Sequence, residues 1–339
     1  MMRRYVSFDS PYRVSAGEEP APEPGHDQVL VKTSVSAISS GTELLFYRGL
    51  VPTDMAVDAN IDSLGGPMRY PLRYGYAAAG QVIAAGAGVD PAWNGARVFS
   101  FQPHQSHFVA RTDELIRLPD KVRPEHAVFL PNLETAVNFV MDGQPTIGEN
   151  VVILGQGVVG LLTTALLSRM PLACLAAVDY FPLRRRLSTL LGAQRAIDPG
   201  AGSPSAAIAA LIEEASGADL VYELTGNPAA LNLAIEAAGF GSRIVIGSWY
   251  GQKRADVDLG GLFHRNRIQI ISSQVSTIDP RWSGRWDKAR RMRTVLRLLE
   301  SIPVDALITH RFPVDEAAKA YALLDQHPEQ ALQVLITYD

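Results

Sequence analysis

The stretch "VSAISSGTELLFYRG", Val35 to Gly49, interrupts a strand-like segment with Ser40, Gly41, Thr42 and Glu43. That cluster is too rich in hydroxyls, and too abruptly placed, for ordinary edge decoration. A second constellation has a defined chemistry. "VVILGQGVVGLL" sets Gly155, Gln156, Gly157, Val158, Val159 and Gly160 in a G-x-G-x-x-G pattern, after an apolar strand and at the opening of a helix. Gly155 permits a tight turn, Gly157 lets a pyrophosphate approach the backbone, and Gly160 allows close helix–strand packing. The helix N-terminus offers unpaired N–H groups and positive potential to phosphates. Asp179 ends the next strand and can accept from the adenosine ribose hydroxyls, which favours NAD over NADP. Arg184 and Arg185 argue the other way, because an arginine can hold a 2′-phosphate. The bland alternative is a glycine-rich packing turn with no ligand.

"FQPHQSHF" carries His104 and His107. Histidine is available as an acid near neutral pH, and His104 is a candidate for the catalytic cleft. A metal site there would need further ligands. "SGRWDKARRMR" and the run Arg184 to Arg186 read as solvated helix faces, the former with contact to an acidic substrate as the alternative. Glu134 either orients a neighbour or is an exposed helix acid.

The elements that must position these groups fall into two patterns. The first ~120 residues read as short strands bounded by glycine and proline, a β-rich, barrel-like region. Beyond Pro124, apolar strands alternate with helices: "NVVILG", "CLAAVD", "RAID", "ADLVYEL", "SRIVIGS" and "RIQIIS" are six strands of a parallel sheet covered on both faces. The helices include "RRRLSTLLGA", with Gly192 as its C-terminal cap, and "SPSAAIAALIEEASG". The last ~60 residues are expected to return to the first domain. The division predicted is 1–123 with 275–339, and 124–274. The segment 51–73, with no clear period, is either a lid over the pocket or a structural loop.

The chain has 339 residues, 47% hydrophobic and 19% charged, with net charge −4. Two domains are expected. No basic excess points to nucleic acid, and no segment reads as a membrane span or signal peptide. One cysteine, Cys174, excludes a disulfide framework and a cysteine zinc cluster. A cytoplasmic protein is the expectation.

The combination of "SSGTE", "YGYAAAG", "FQPHQSHF", "NLETAVN" and the glycine motif resembles the medium-chain dehydrogenase/reductase superfamily over essentially the whole chain. It looks most like the branch that includes bacteriochlorophyllide hydroxyethyl dehydrogenase. The resemblance implies an α/β protein with a GroES-like, β-barrel-type catalytic domain and a Rossmann doubly wound parallel sheet. It places Ser40 at the first catalytic zinc ligand, Thr42 at a proton-relay hydroxyl and Glu43 at the following acid. Tyr76 falls at the histidine ligand and Pro131 at the third. These residues bind zinc poorly or not at all, so no zinc is expected. Thr135, Thr225, Gly226, Gly247, Ser248 and Trp249 are implied to line the cofactor.

The activity implied is a zinc-independent, NAD(H)-dependent interconversion of an alcohol and a carbonyl on a small-molecule substrate. Thr42, Tyr76 and His104 are its proton-handling candidates, beside Ser40 and Glu43. Reduction of an activated double bond is a second reading. A non-catalytic nucleotide-binding redox sensor is a third. The resemblance also implies a homodimer joined at the Rossmann sheet edge.

Overall fold

A computed structural model describes residues 1–52, 56–57, 61–203, 208 and 217–338. The expected helix at 203–217 falls almost wholly outside the described residues, as do 53–55 and 58–60 of the expected lid. The chain divides into two compact units, residues 1–131 with 299–339, and residues 132–298.

The first unit contains β1 (Met2–Ser10), β2 (Arg13–Pro20), β3 (Gln28–Ile38), α1 (Ser40–Tyr47), β4 (Ala78–Ala85), β5 (Arg97–Ser100), β6 (His107–Arg111), β7 (Ile116–Arg117) and α2 (Pro124–Ala127). After the second unit the chain adds β14 (Ile308–Pro313), α9 (Ala317–Gln326) and β15 (Gln333–Thr337). β1 and β2 form an antiparallel hairpin. The larger sheet runs β14-β15-β3-β4-β5-β7, with β6 also paired to β3. The tail enters this sheet because β15 pairs antiparallel with β3, Val334 opposite Ile38 and Ile336 opposite Ser36. That register holds the end of β3, where α1 begins. The segment read from sequence as an interrupted strand is thus a helix from Ser40 onward. Leu44, Leu45, Phe46 and Tyr47 bury against Val6, Phe8, Tyr74 and Tyr321 in one core cluster.

α3 (Leu130–Gly143) leads into the second unit, which holds β8 (Asn150–Leu154), α4 (Val158–Leu167), β9 (Cys174–Val178), α5 (Pro182–Leu190), β10 (Arg195–Ile197), β11 (Ala218–Glu223), α6 (Ala230–Ala237), β12 (Ala238–Ile246), α7 (Leu262–Arg265), β13 (Gln269–Ser272) and α8 (Lys288–Leu299). The six strands are parallel in the order β10-β9-β8-β11-β12-β13. That is the 3-2-1-4-5-6 order of a doubly wound dinucleotide fold. β8 is buried from Val151 to Leu154, as a strand covered on both faces must be. Gly192, at φ 101°, follows the end of α5.

The unit boundaries differ from those read in the sequence. Residues 275–298 belong with the nucleotide-fold unit, because α8 sends Arg291 into it. The Arg291 side chain is 1% exposed. Its Nε donates to Glu134 Oε1 at 3.0 Å and its Nη1 to Asn138 Oδ1 at 2.6 Å. The "SGRWDKARRMR" stretch is therefore not wholly a solvated face, and Glu134 is not an exposed acid. Burial raises the Glu134 carboxyl above its usual range, with Arg291 opposing the shift. Among the described residues no helix is long and apolar enough to cross a membrane.

Candidate active site

In the second unit the three motif glycines meet three different constraints. Gly155 has φ 90°, and a Cβ there would lie 2.7 Å from the Leu224 backbone. At Gly160 a Cβ would lie 2.1 Å from Gly155 O. At Gly157, the N-cap of α4, a Cβ would meet nothing within 4 Å. Gly155 and Gly160 are fixed by packing, whereas the space over Gly157 is open beside the helix N-terminus. This is the arrangement a pyrophosphate needs, so these residues fit a dinucleotide.

The intervening residues hold the loop. Gln156 is buried, with Oε1 accepting from Thr164 Oγ1 at 2.9 Å, and Val159 O accepts from Thr163 Oγ1 at 2.8 Å. Val158 is buried at the first helical position. Asp179, just past β9, accepts from Gln156 N at 2.8 Å and from Phe181 N at 2.9 Å. Its carboxylate therefore ties the glycine loop to the second strand, and the remaining lone pairs are those left for a ribose. Arg185 is committed elsewhere, donating to Asp179 O at 2.8 Å and pairing with Asp198 at 2.9 Å. Arg184 is the arginine beside the acid, 3.8 Å from Asp179 Oδ2 and stacked on Phe181. It is half-buried rather than part of a solvated basic face. Burial pushes its guanidinium below the ordinary value, and Asp179 opposes that shift.

The ends of β11 and β12 are joined through Glu223, a fully buried acid that sequence reading passed over. It accepts from Thr225 N at 2.8 Å, from the Thr225 hydroxyl and from the Tyr250 hydroxyl. Its signal was an acid closing the otherwise apolar run "LVYE" at the end of a strand. Gly226 N donates to Ser248 Oγ at 2.9 Å. A Cβ at Gly247 would lie 2.2 Å from Phe139 Cζ, so only glycine lets β12 end over α3. Thr135 is half-buried on that helix, and Trp249 is 38% exposed.

In the first unit, α1 and the segment before β4 bring three hydroxyls together. The Tyr76 hydroxyl donates to Ser39 Oγ and lies 3.4 Å from Thr42 Oγ1. All three residues are half-buried. Ser40 makes no hydrogen bond to this group among the described residues. Beneath them lies a sealed network. Glu43, 0% exposed, accepts from Ser39 N at 2.7 Å, from His104 Nε2 at 2.9 Å and from the Tyr321 hydroxyl. His104 Nδ1 lies 2.7 Å from Ser36 Oγ, which lies 2.7 Å from the Tyr338 hydroxyl. With Nε2 donating to Glu43, Nδ1 of a neutral ring accepts from Ser36. Burial and the nearby Glu43 hold the Tyr321 hydroxyl well above the usual phenol range.

His104 and Glu43, both 0% exposed, lie inside the unit rather than on its surface. Both support the turn from below. Gly75, at φ 115°, makes room for the ring, since its Cβ would lie 2.6 Å from His104 Cδ2. His107 is also buried, and burial lowers its imidazole below the ordinary value.

The donors do not fit a zinc ion. Ser40, Tyr76 and Pro131, the positions the resemblance assigns to ligands, offer no thiolate, imidazole or carboxylate. The nearby imidazole and carboxylate, His104 and Glu43, are bonded to each other. Among the described residues no three His, Cys, Asp or Glu side chains are grouped to hold a metal.

This geometry can be set beside known proteins. Residues 158–293 match the zinc-binding dehydrogenase family model. The chain is similar to sorbitol dehydrogenase of Gallus gallus, 23% identical over 335 residues, covering 89% of this chain and 87% of that protein. It superposes on a protein of Sinorhizobium meliloti 1021, described as a zinc-binding dehydrogenase and bound to NADP, with TM-score 0.79 and 22% identity over 100% of both chains. An Escherichia coli CFT073 alcohol dehydrogenase complexed with NADH matches with TM-score 0.79 and 21% identity over 99% of both. The chain shares the fold of these two dehydrogenase structures. The family-model match and the similarity to sorbitol dehydrogenase support an oxidoreductase.

Proposed function

We propose that the protein is a zinc-independent, NAD(H)-dependent oxidoreductase that interconverts a secondary alcohol and a carbonyl. One observation carries the reading. The Tyr76, Ser39 and Thr42 hydroxyls cluster on the turn where the resemblance expects metal ligands, and a buried carboxyl fixes that turn. The cofactor, when bound, supplies or accepts the hydride. Gly157 and the α4 N-terminus bind the pyrophosphate, and Asp179 orients the adenosine ribose. Thr135, Thr225, Gly226, Gly247, Ser248 and Trp249 line the rest of the cofactor.

In the reducing direction, negative charge develops on the substrate oxygen and must meet hydrogen-bond donors. Tyr76 donates its phenolic proton to that oxygen, and Thr42 supports the same atom. The branch resemblance points to a bulky substrate that carries the secondary alcohol on a side chain. NADH fluorescence titration followed by a ketone and alcohol panel tests the reading. Binding followed by NADH-dependent turnover supports it. Binding without turnover on any member makes the protein a nucleotide-binding sensor.

A further inference from the structure

The first turn of α1 divides its hydrogen bonds in an unusual way. Ser39 is the N-cap, where a serine oxygen ordinarily accepts from a backbone N–H of the first turn. Here it makes no such bond. Its hydroxyl is turned to Tyr76 instead. Glu43 takes over the end of the helix, accepting from Ser39 N at 2.7 Å. Glu43 is itself held on its other oxygen by His104 and Tyr321. The Ser39 backbone is thereby locked from the buried side while its hydroxyl meets a half-buried phenol. Thr42 Oγ1 stands 3.4 Å from the same phenol oxygen.

We propose that Ser39 is a positioning residue that orients the Tyr76 phenol and returns its proton during turnover. This rests on the proposed carbonyl–alcohol reaction and adds a residue to which the resemblance gives no role. In reduction, the Tyr76 O–H bond breaks as the substrate O–H bond forms. The Ser39 O–H bond breaks as the Tyr76 O–H bond re-forms. The half-buried Ser39 takes a proton from solvent water in the same step, so no serine alkoxide accumulates. Oxidation runs the same transfers in reverse. His104 cannot serve in this place, because both ring nitrogens face buried partners.

The test compares Ser39→Ala, Ser39→Thr and Tyr76→Phe. Turnover is followed with NADH and the fastest of acetoin, cyclohexanone and acetophenone. Tyr76 ionisation is followed separately by ¹³C NMR of ring-labelled tyrosine, which needs no substrate. Ser39→Ala is expected to lower kcat at least tenfold with NADH affinity within twofold. It should also move the Tyr76 titration, and the matching limb of the pH–rate profile, to higher pH. Ser39→Thr should restore both. Wild-type kcat and an unmoved Tyr76 titration in Ser39→Ala, with Tyr76→Phe impaired, overturn the role of Ser39 and leave the proposed function standing. Wild-type turnover in Tyr76→Phe overturns the chemistry assigned to Tyr76, and Ser39 with it. If Ser39→Ala does not fold, Ser39→Gly carries the same comparison, and if no ketone is reduced the NMR titration alone decides.

Discussion

Arg184 Nη1 lies 3.8 Å from Asp179 Oδ2, and the Arg184 guanidinium packs 4.7 Å from the centre of the Phe181 ring. An acid that suits a ribose hydroxyl and a cation that suits a phosphate thus share one corner. The acid is the better anchored, because two backbone N–H groups bond it.

NADH should therefore bind more tightly than NADPH. Asp179→Ala should weaken NADH about tenfold or more, the scale of losing a hydrogen bond to a charged group at ~1.5–3 kcal/mol. NADPH should lose less. Arg184→Ala should weaken NADPH more than NADH. Fluorescence titration of both cofactors checks this, and tighter NADPH binding by the wild type contradicts it.

Tyr76→Phe should lower kcat by about 10²–10⁴, the usual scale of losing a positioned acid or base. Thr42→Val should act in the same direction and less strongly. Neither should change NADH affinity much. Steady-state kinetics beside cofactor titration separate the two effects. A loss confined to NADH binding would remove both residues from the chemistry.

Glu43→Leu should cost stability heavily. It leaves the Ser39 N–H, His104 and the Tyr321 hydroxyl without their buried acceptor. Each such orphan costs about 1–3 kcal/mol, so a loss of about 3 kcal/mol or more is expected. Urea unfolding of the two proteins measures it, and a loss below about 1 kcal/mol would show the network to be dispensable.

Acid should weaken the β1–β2 hairpin through Glu19. Hydrogen bonds from Arg73 and then Arg3 lower its carboxyl from 4.5 to about 2, against the opposing effect of burial. Because the folded value is the lower one, this stabilisation is complete above pH 4.5 and is lost as pH falls towards 2. Glu19→Gln should be less stable than wild type at pH 6, and the gap should shrink by pH 3. Melting curves at the two pH values read it, and a pH-independent gap would contradict the assignment.

We also expect a homodimer. β13 ends the parallel sheet with β12 as its one neighbour in the strand order, and its Ile270 is 37% exposed. An unpaired edge of this kind is commonly covered by another copy. Light scattering at micromolar concentration should give twice the chain mass of 36.7 kDa. Ile270→Lys should shift it towards monomer. Monomer alone in the wild type would rule the dimer out.

The nucleotide fold was legible because its signals are local. Continuous apolar strands, glycines at fixed offsets and an acid after the second strand all lie within short windows. The support beneath the Ser39–Thr42 turn was not legible, because its partners are distant in sequence. Glu43 meets Tyr321 across 278 positions, and Ser36 meets Tyr338 across 302. Arg291 finds Glu134 across 157, and nothing in "WDKARRMR" distinguishes it from its solvated neighbours. The helix at Ser40–Tyr47 was obscured for a related reason. Leu44 to Tyr47 are four consecutive apolar residues, all buried, so no helical period shows in the sequence.

In the proposed reaction, hydroxyl donors rather than zinc support hydride transfer. The most direct test is NADH-dependent ketone turnover after exhaustive dialysis against a chelator. We expect the dialysed protein to turn over at the undialysed rate, with added zinc giving no increase. Loss of turnover on dialysis, restored by one equivalent of zinc per chain, would contradict the account.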